Sequence, residues 1–305
     1  MAASAHEIDA RPGRSCPLPY RYSPRVFDRA PEVVADTLYV VGGLYGNVEA
    51  LQAVERLAAR ETGPVRIVFN GDFHWFDVAR ADFTAIEAGV RAHTALRGNV
   101  ETEIAGEDNG AGCGCAYPAD VSDAVVRRSN EILGRLRETA RGCEGARGRL
   151  AALPMHLVAR VGQARVGIVH GDAASLAGWG FDRERLADPS HRRWVESMFE
   201  QARVDAFAST HTCASALAAF DGGIVANNGA AGMPNGTGRR GLLTRIGARP
   251  LAGGRACEGL ERAGAHFELV EIDYDHEGWV RRFLASWPEG SPAHASYFGR
   301  IAGTP

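Results

Sequence analysis

The sequence contains no lysine; all 34 of its Lys+Arg positions are arginine. That absence excludes lysine Schiff-base chemistry and a Walker-type phosphate loop, both of which need the amine. Alongside frequent Ala and Gly, it looks like genomic base composition rather than a functional feature. No apolar run approaches the ~18 residues that a membrane span requires. The opening M-A-A-S-A-H-E-I-D-A has neither the basic start nor the apolar block of a secretory signal. Six cysteines in 305 residues are too sparse for a disulfide framework, so a reducing, cytoplasmic setting is expected. Nor is there an excess of one charge: a net charge of −3 argues against general nucleic-acid binding. What is present, 45% apolar and 23% charged residues, belongs to an ordinary soluble globular protein.

Read along the chain, residues 1–36 carry Pro12, Pro17, Pro19, Pro24 and Pro31 among arginines, which predicts an extended arm pinned by Tyr20, Tyr22 and Phe27. Residues 37–275 form the main domain and 276–305 a tail, helical in parts, packed on it. Thr37 to Val41 reads as a strand, Asn47 caps a helix to about Arg60, and Val65 to Asn70 is a second strand, giving a βαβ unit. A short helix (Phe83 to Val90) and a strand (His93 to Arg97) follow. Glu101 to Pro118 is Gly/Cys-rich without periodicity and reads as a long loop. Val121 to Thr139 and Ser190 to Arg203 are helical, and Val204 to Ala208 is a buried strand. Hairpins are signalled around Gly162-Gln163 and Asp221-Gly222-Gly223. Leu242 to Ile246 and His266 to Tyr274 look like closing strands.

Four of these strands share one shape. Ile67 to Asp77 (I-V-F-N-G-D-F-H-W-F-D) runs apolar, breaks at Gly71 and then presents Asp72 and His74; L-R-G-N ends at Asn99, I-V-H-G-D presents His170, and S-T-H-T-C presents His211. Polar groups at the carboxyl ends of buried parallel strands sit where open α/β sheets do their chemistry. A carboxylate, an amide oxygen and two imidazoles suit a divalent ion such as Mn²⁺, Fe²⁺ or Zn²⁺. A lone strand-end His is more often an ordinary hydrogen-bonder; four such ends in order are a far stronger signal.

In that order the chain resembles the calcineurin-like metallophosphoesterases, whose motifs run Asp-x-His, Gly-Asp-x-x-Asp, Gly-Asn-His-Asp/Glu, His and Gly-His-x-His. The resemblance covers roughly Leu38 to Tyr274. It includes L-Y-G-N-V-E-A-L, similar to the family's His-Gly-Asn-x-x-Ala-Leu, and A-N-N-G-A-A-G-M-P-N, similar to its late Asn-Pro-Gly-Ser turn. It implies a four-layered α/β sandwich of two mixed sheets flanked by helices, one or two divalent metals, and a metal-activated water attacking phosphorus. It also exposes departures. Gly43 and Tyr45 stand where the first motif has Asp and His, Trp75 replaces the second acid, Val100 the His after Gly-Asn, and Cys213 the last His. The family's division of ligands leaves one site with Asp72, Asn99, His170 and His211, and the other with only the shared Asp72 and Cys213.

The expected activity is hydrolysis of a phosphate mono- or diester of a small anionic substrate. The alternative is a binding or regulatory protein that has lost catalysis. His74, and less directly Glu101, are the candidates to replace the missing acid, although His74 also reads as packing beside Trp75 and Phe76. Cys113 and Cys115, with Cys213, raise the further expectation of a softer thiolate site favouring Zn²⁺ or a cluster.

Overall fold

The computed structural model describes residues 11–107, 110–235, 238–252 and 256–303; residues 1–10 of the arm and 108–109 of the Gly/Cys-rich loop lie outside them. Among the described residues, twelve strands form two mixed six-stranded sheets. One runs β11 (Ala256–Arg262), β12 (Ala265–Ile272), β10 (Gly241–Gly247), β2 (Thr37–Val41), β3 (Val65–Asn70), β4 (Thr94–Leu96). The other runs β1 (Val33–Ala35), β5 (His156–Val161), β6 (Ala164–Val169), β7 (Ala206–Ser209), β9 (Ile224–Asn227), β8 (Ala216–Ala219). β2, β3 and β4 are mutually parallel, as are β6, β7 and β9.

Strand alternation explains the layering, since successive side chains point to opposite faces. Leu38, Val40 and Val68 meet Val166, Ile168 and Ala208 in a core between the sheets. Tyr39, Val41, Ile67 and Phe69 point the other way, into a larger core under helices α1 (Val48–Ala58), α2 (Arg80–Arg91) and α4 (Asp123–Gly142). Phe207 and Val225 face a third core with α7 (Arg192–Ala202). Sheet, sheet and two outer helical layers make the four-layered α/β sandwich. Among the described residues, no helix is long and apolar enough to cross a membrane.

Several local readings are corrected. The stretch from Glu101 does not begin as a loop: α3 (Asn99–Ala105) occupies it, because the Glu101 carboxylate at N3 accepts from the Gly98 backbone N–H at 2.9 Å and closes the first turn. The described part of the arm carries two short 3₁₀ turns, Leu18–Tyr20 and Pro24–Phe27, and ends inside the fold, where β1 pairs in parallel with β5 and Tyr20 and Phe27 are buried. A short helix α5 (Ala146–Ala151) and the largely exposed strand β11 carry no clear apolar period, and the sequence reading has neither. The remaining short helix, α6 (Arg183–Ala187), precedes α7. In the tail, α8 (His276–Ser286) and α9 (Pro292–Ala302) bring Trp279, Phe283 and Ile301 into the larger core, where Phe76 meets Phe283 and Tyr297 edge-on.

Candidate metal centre

The parallel strands β3, β4, β6 and β7 deliver their carboxyl ends to one place. Ligand atoms of Asp72, His170 and His211 all lie within 4.8 Å of one another, and all three residues are buried. The fourth expected ligand joins them: Asn99 Oδ1 is 3.1 Å from His170 Nε2. The same nitrogen lies 3.3 Å from Asp72 Oδ2 and 3.2 Å from His211 Nδ1.

Protons decide what this cluster is. His170 Nδ1 sits 3.0 Å from the Asn70 carbonyl oxygen, which can only accept, so Nδ1 carries a proton and the ring, when neutral, presents its lone pair at Nε2. His211 Nε2 sits 3.1 Å from the Cys115 carbonyl, which leaves the lone pair at Nδ1. The Asn99 Nδ2 donates to the Cys113 carbonyl at 2.9 Å and turns Oδ1 toward the two rings. Four electron-rich atoms therefore face one another, and the arrangement calls for a positive charge between them. The titration directions agree. Burial lowers the pKa of His170, but the Asp72 carboxylate and the bonds to Asp72 and Asn70 outweigh it and raise the pKa. His211 is lowered to about 3 by burial and by the neighbouring His170, so it stays a neutral donor. Metal-binding imidazoles are commonly fixed in this way by a carbonyl on the other nitrogen.

The backbone is bent to reach this geometry. Tyr45, Asp72, His211 and Cys213 all have left-handed φ, between 49° and 59°, a conformation uncommon for side-chain-bearing residues and concentrated at functional sites. Gly98 is required by close approach: a Cβ there would lie 2.2 Å from Asp72 Oδ1.

Of the other expected site residues, Cys213 lies beside the cluster rather than in it. Its thiol meets the Tyr45 hydroxyl at 2.8 Å, and burial raises its pKa. At Gly43, where the related motif has Asp, a Cβ would stand 2.8 Å from the Tyr45 ring. The Tyr45 ring thus fills the space into which an acid at position 43 would project. His74 is fully buried, bonded to Asp77 Oδ2 at 2.6 Å and stacked on Phe83 at 3.9 Å. Glu101 is also fully buried and accepts from the backbone N–H groups of Asp72, His74 and Gly98. Neither lines the cavity, so the acid role considered for them is corrected: both carboxylate and ring hold the turn that carries Asp72. The thiols of Cys113 and Cys115 do not enter the ligand group; the carbonyls of those residues orient Asn99 and His211 instead.

A cavity of about 230 Å³ opens over Asp72, Asn99 and His211. Trp179 stands edge-on to His211 with ring centroids 5.5 Å apart and donates Nε1–H to the Cys115 carbonyl. Tyr117, Tyr297 and Arg300 complete the far wall. No sequence signal marks Arg300 or Tyr297, which lie beyond the motif-bearing part of the chain.

No protein-family model matches the chain, and no curated protein matches it. Solved structures do. A hypothetical protein from Pyrococcus horikoshii OT3 superposes with a TM-score of 0.58 at 18% identity, over 86% of this chain and 97% of that one. A metallophosphoesterase from Sphaerobacter thermophilus superposes with a TM-score of 0.54 at 15% identity, over 88% of this chain and 99% of that one. Identities this low speak for architecture alone: two mixed six-stranded sheets flanked by helices, the fold of the Sphaerobacter thermophilus metallophosphoesterase.

Proposed function

We propose that this chain is a metal-dependent phosphoesterase that cleaves a phosphate mono- or diester with water, using a single metal site formed by Asp72, Asn99, His170 and His211. The observation that carries this reading is the convergence of four lone-pair atoms on one point, with Asn99, His170 and His211 each held by a backbone carbonyl. A divalent ion there would polarise a phosphoryl oxygen and lower the pKa of water, to about 7 in favourable zinc cases.

The chain's own residues supply orientation. Glu101 holds the backbone of Asp72, and Val100 N–H donates to Asp72 Oδ1 at 3.1 Å, which leaves Oδ2 for the ion. Trp179 and Tyr117 line the cavity over the site. In the reaction a water oxygen bonds to phosphorus and gives up a proton to solvent, the P–O bond to the organic group breaks, and the leaving oxygen takes a proton from solvent. Val100 and the sealed His74 offer no acid for that last step, so activity is expected on esters whose leaving oxygen needs little protonation.

Elemental analysis of the purified chain, with turnover of bis(4-nitrophenyl) phosphate and 4-nitrophenyl phosphate in added Mn²⁺, tests the proposal. About one metal per chain and measurable turnover are expected, with both lost in His211→Ala. Metal-free wild type with no turnover in Mn²⁺ would favour a binding protein that has lost catalysis.

A further inference from the structure

We propose that Arg300, on the tail helix α9, is the phosphoryl-binding residue of the cavity, and that the ester it receives carries a flat, apolar group seated among the aromatic walls. This rests on the phosphoesterase reading and names its substrate class.

Three observations carry it. First, Arg300 reaches the cavity from outside every recognised motif and is the only arginine among the described residues that line it. Its Nε donates to the Pro234 carbonyl at 2.6 Å and its Nη2 to the Cys213 carbonyl at 2.7 Å. Those bonds hold the planar fork in one orientation and leave Nη1 without a hydrogen-bond partner among the described residues. Secondly, no carboxylate among the described residues pairs with it. Arg137 is neutralised by Glu103, Arg245 by Glu61 and Glu268, and Arg282 by Glu49 and Asp82, whereas Arg97 and Arg165, which like Arg300 bond to carbonyls, do not line this cavity. A half-buried guanidinium left with carbonyl partners, beside a cavity wall that is mostly apolar, is matched to an anion that arrives from outside.

Thirdly, its position is informative. Arg300 is bonded to Cys213, whose thiol touches Tyr45, so its charge falls on the side of Asp72 where Gly43, Tyr45 and Cys213 leave no ligand set for a second cation. A fixed guanidinium can hold a phosphoryl oxygen there through charge-assisted hydrogen bonds. Around it, Trp75, Tyr117, Trp179 and Tyr297 offer ring faces and edges at a cavity of about 230 Å³, room for a single aromatic ring with its phosphate.

The test uses phenylphosphonate, which cannot be hydrolysed at a P–O–aryl bond, and the neutral benzyl alcohol as its uncharged counterpart. Binding to the full chain is followed by the fluorescence of Trp75 and Trp179, with Mn²⁺ and again after chelation. Wild type is expected to bind phenylphosphonate in both states and more tightly than benzyl alcohol. Arg300→Gln is expected to bind it about tenfold or more weakly, with Arg300→Lys between them and benzyl alcohol affected in neither. Unchanged phenylphosphonate affinity in Arg300→Gln overturns the proposal. If that variant does not fold, wild type binding the phosphonate no better than benzyl alcohol overturns it equally. These readouts need no turnover: a wild type that binds the phosphonate through Arg300 but hydrolyses nothing would sink the catalytic reading alone.

Discussion

At the scale of single residues, position in sequence and position in space part company after Asp72. Asp72, Asn99, His170 and His211 are legible because each ends an apolar run, and an apolar run ending in a polar residue already implies a strand mouth. His74 is not legible, because its fate depends on Phe83 and Asp77, whose side chains close over it only once α2 has packed. The result is a buried His–Asp pair behind the site. Asp77 Oδ1 also accepts from Trp75 N–H, so the pair fixes the turn just after Asp72. Removing the ring in His74→Ala would leave Asp77 buried without its partner, a change that costs about 3 kcal/mol in comparable pairs. We expect His74→Ala to lower the free energy of unfolding by that order, measured by denaturant titration, while the folded protein keeps its metal. Loss of metal with unchanged stability would instead return His74 to the site.

At the scale of elements, the Gly/Cys-rich stretch is where the sequence misleads. A C-G-C pair near a ligand suggests thiolate coordination, yet the segment works through its backbone. The Cys113 carbonyl holds the Asn99 amide and the Cys115 carbonyl holds His211, while the arm braces the segment through Gly13 N–H to the Ala111 carbonyl and Tyr117 N–H to the Gly13 carbonyl. Carbonyl contacts leave no residue-type signature, whereas side chains do, so this function could not be read from the text. It does yield a clear expectation. Cys113→Ser and Cys115→Ser, singly or together, should retain the wild-type metal stoichiometry and the wild-type preference between Mn²⁺ and Zn²⁺. A loss of zinc affinity confined to these variants, measured by competition with a chromogenic chelator, would restore the thiolate reading. Elsewhere the hairpins β5–β6 and β8–β9 are legible from their turns, while β11, with its polar and exposed face, offers no alternation to read.

At the scale of the whole molecule, the ligands divide between the sheets. Asp72 and Asn99 follow β3 and β4 of one sheet; His170 and His211 follow β6 and β7 of the other. Buried amides already cross the same gap: Asn70 Nδ2 donates to the Val169 carbonyl at 2.7 Å, and Asn228 Nδ2 to the Gly42 carbonyl at 3.0 Å. An ion bound at the four residues would therefore fasten one sheet to the other, and would be released when the sandwich opens. Ligand binding confined to the folded state adds stability that grows with concentration, about 2.7 kcal/mol at a hundred times the dissociation constant. For a chain of this size that corresponds to a rise of roughly 5 °C in the unfolding midpoint. Added Mn²⁺ or Zn²⁺ should thus raise the midpoint of chelator-treated wild type by several degrees, in a concentration-dependent way. His211→Ala should show little of this, because the second sheet then contributes only His170. Wild type whose midpoint is indifferent to Mn²⁺, Fe²⁺ and Zn²⁺ alike would mean that the convergent atoms of the two sheets are held together by protons on the histidines, and that no ion belongs between them.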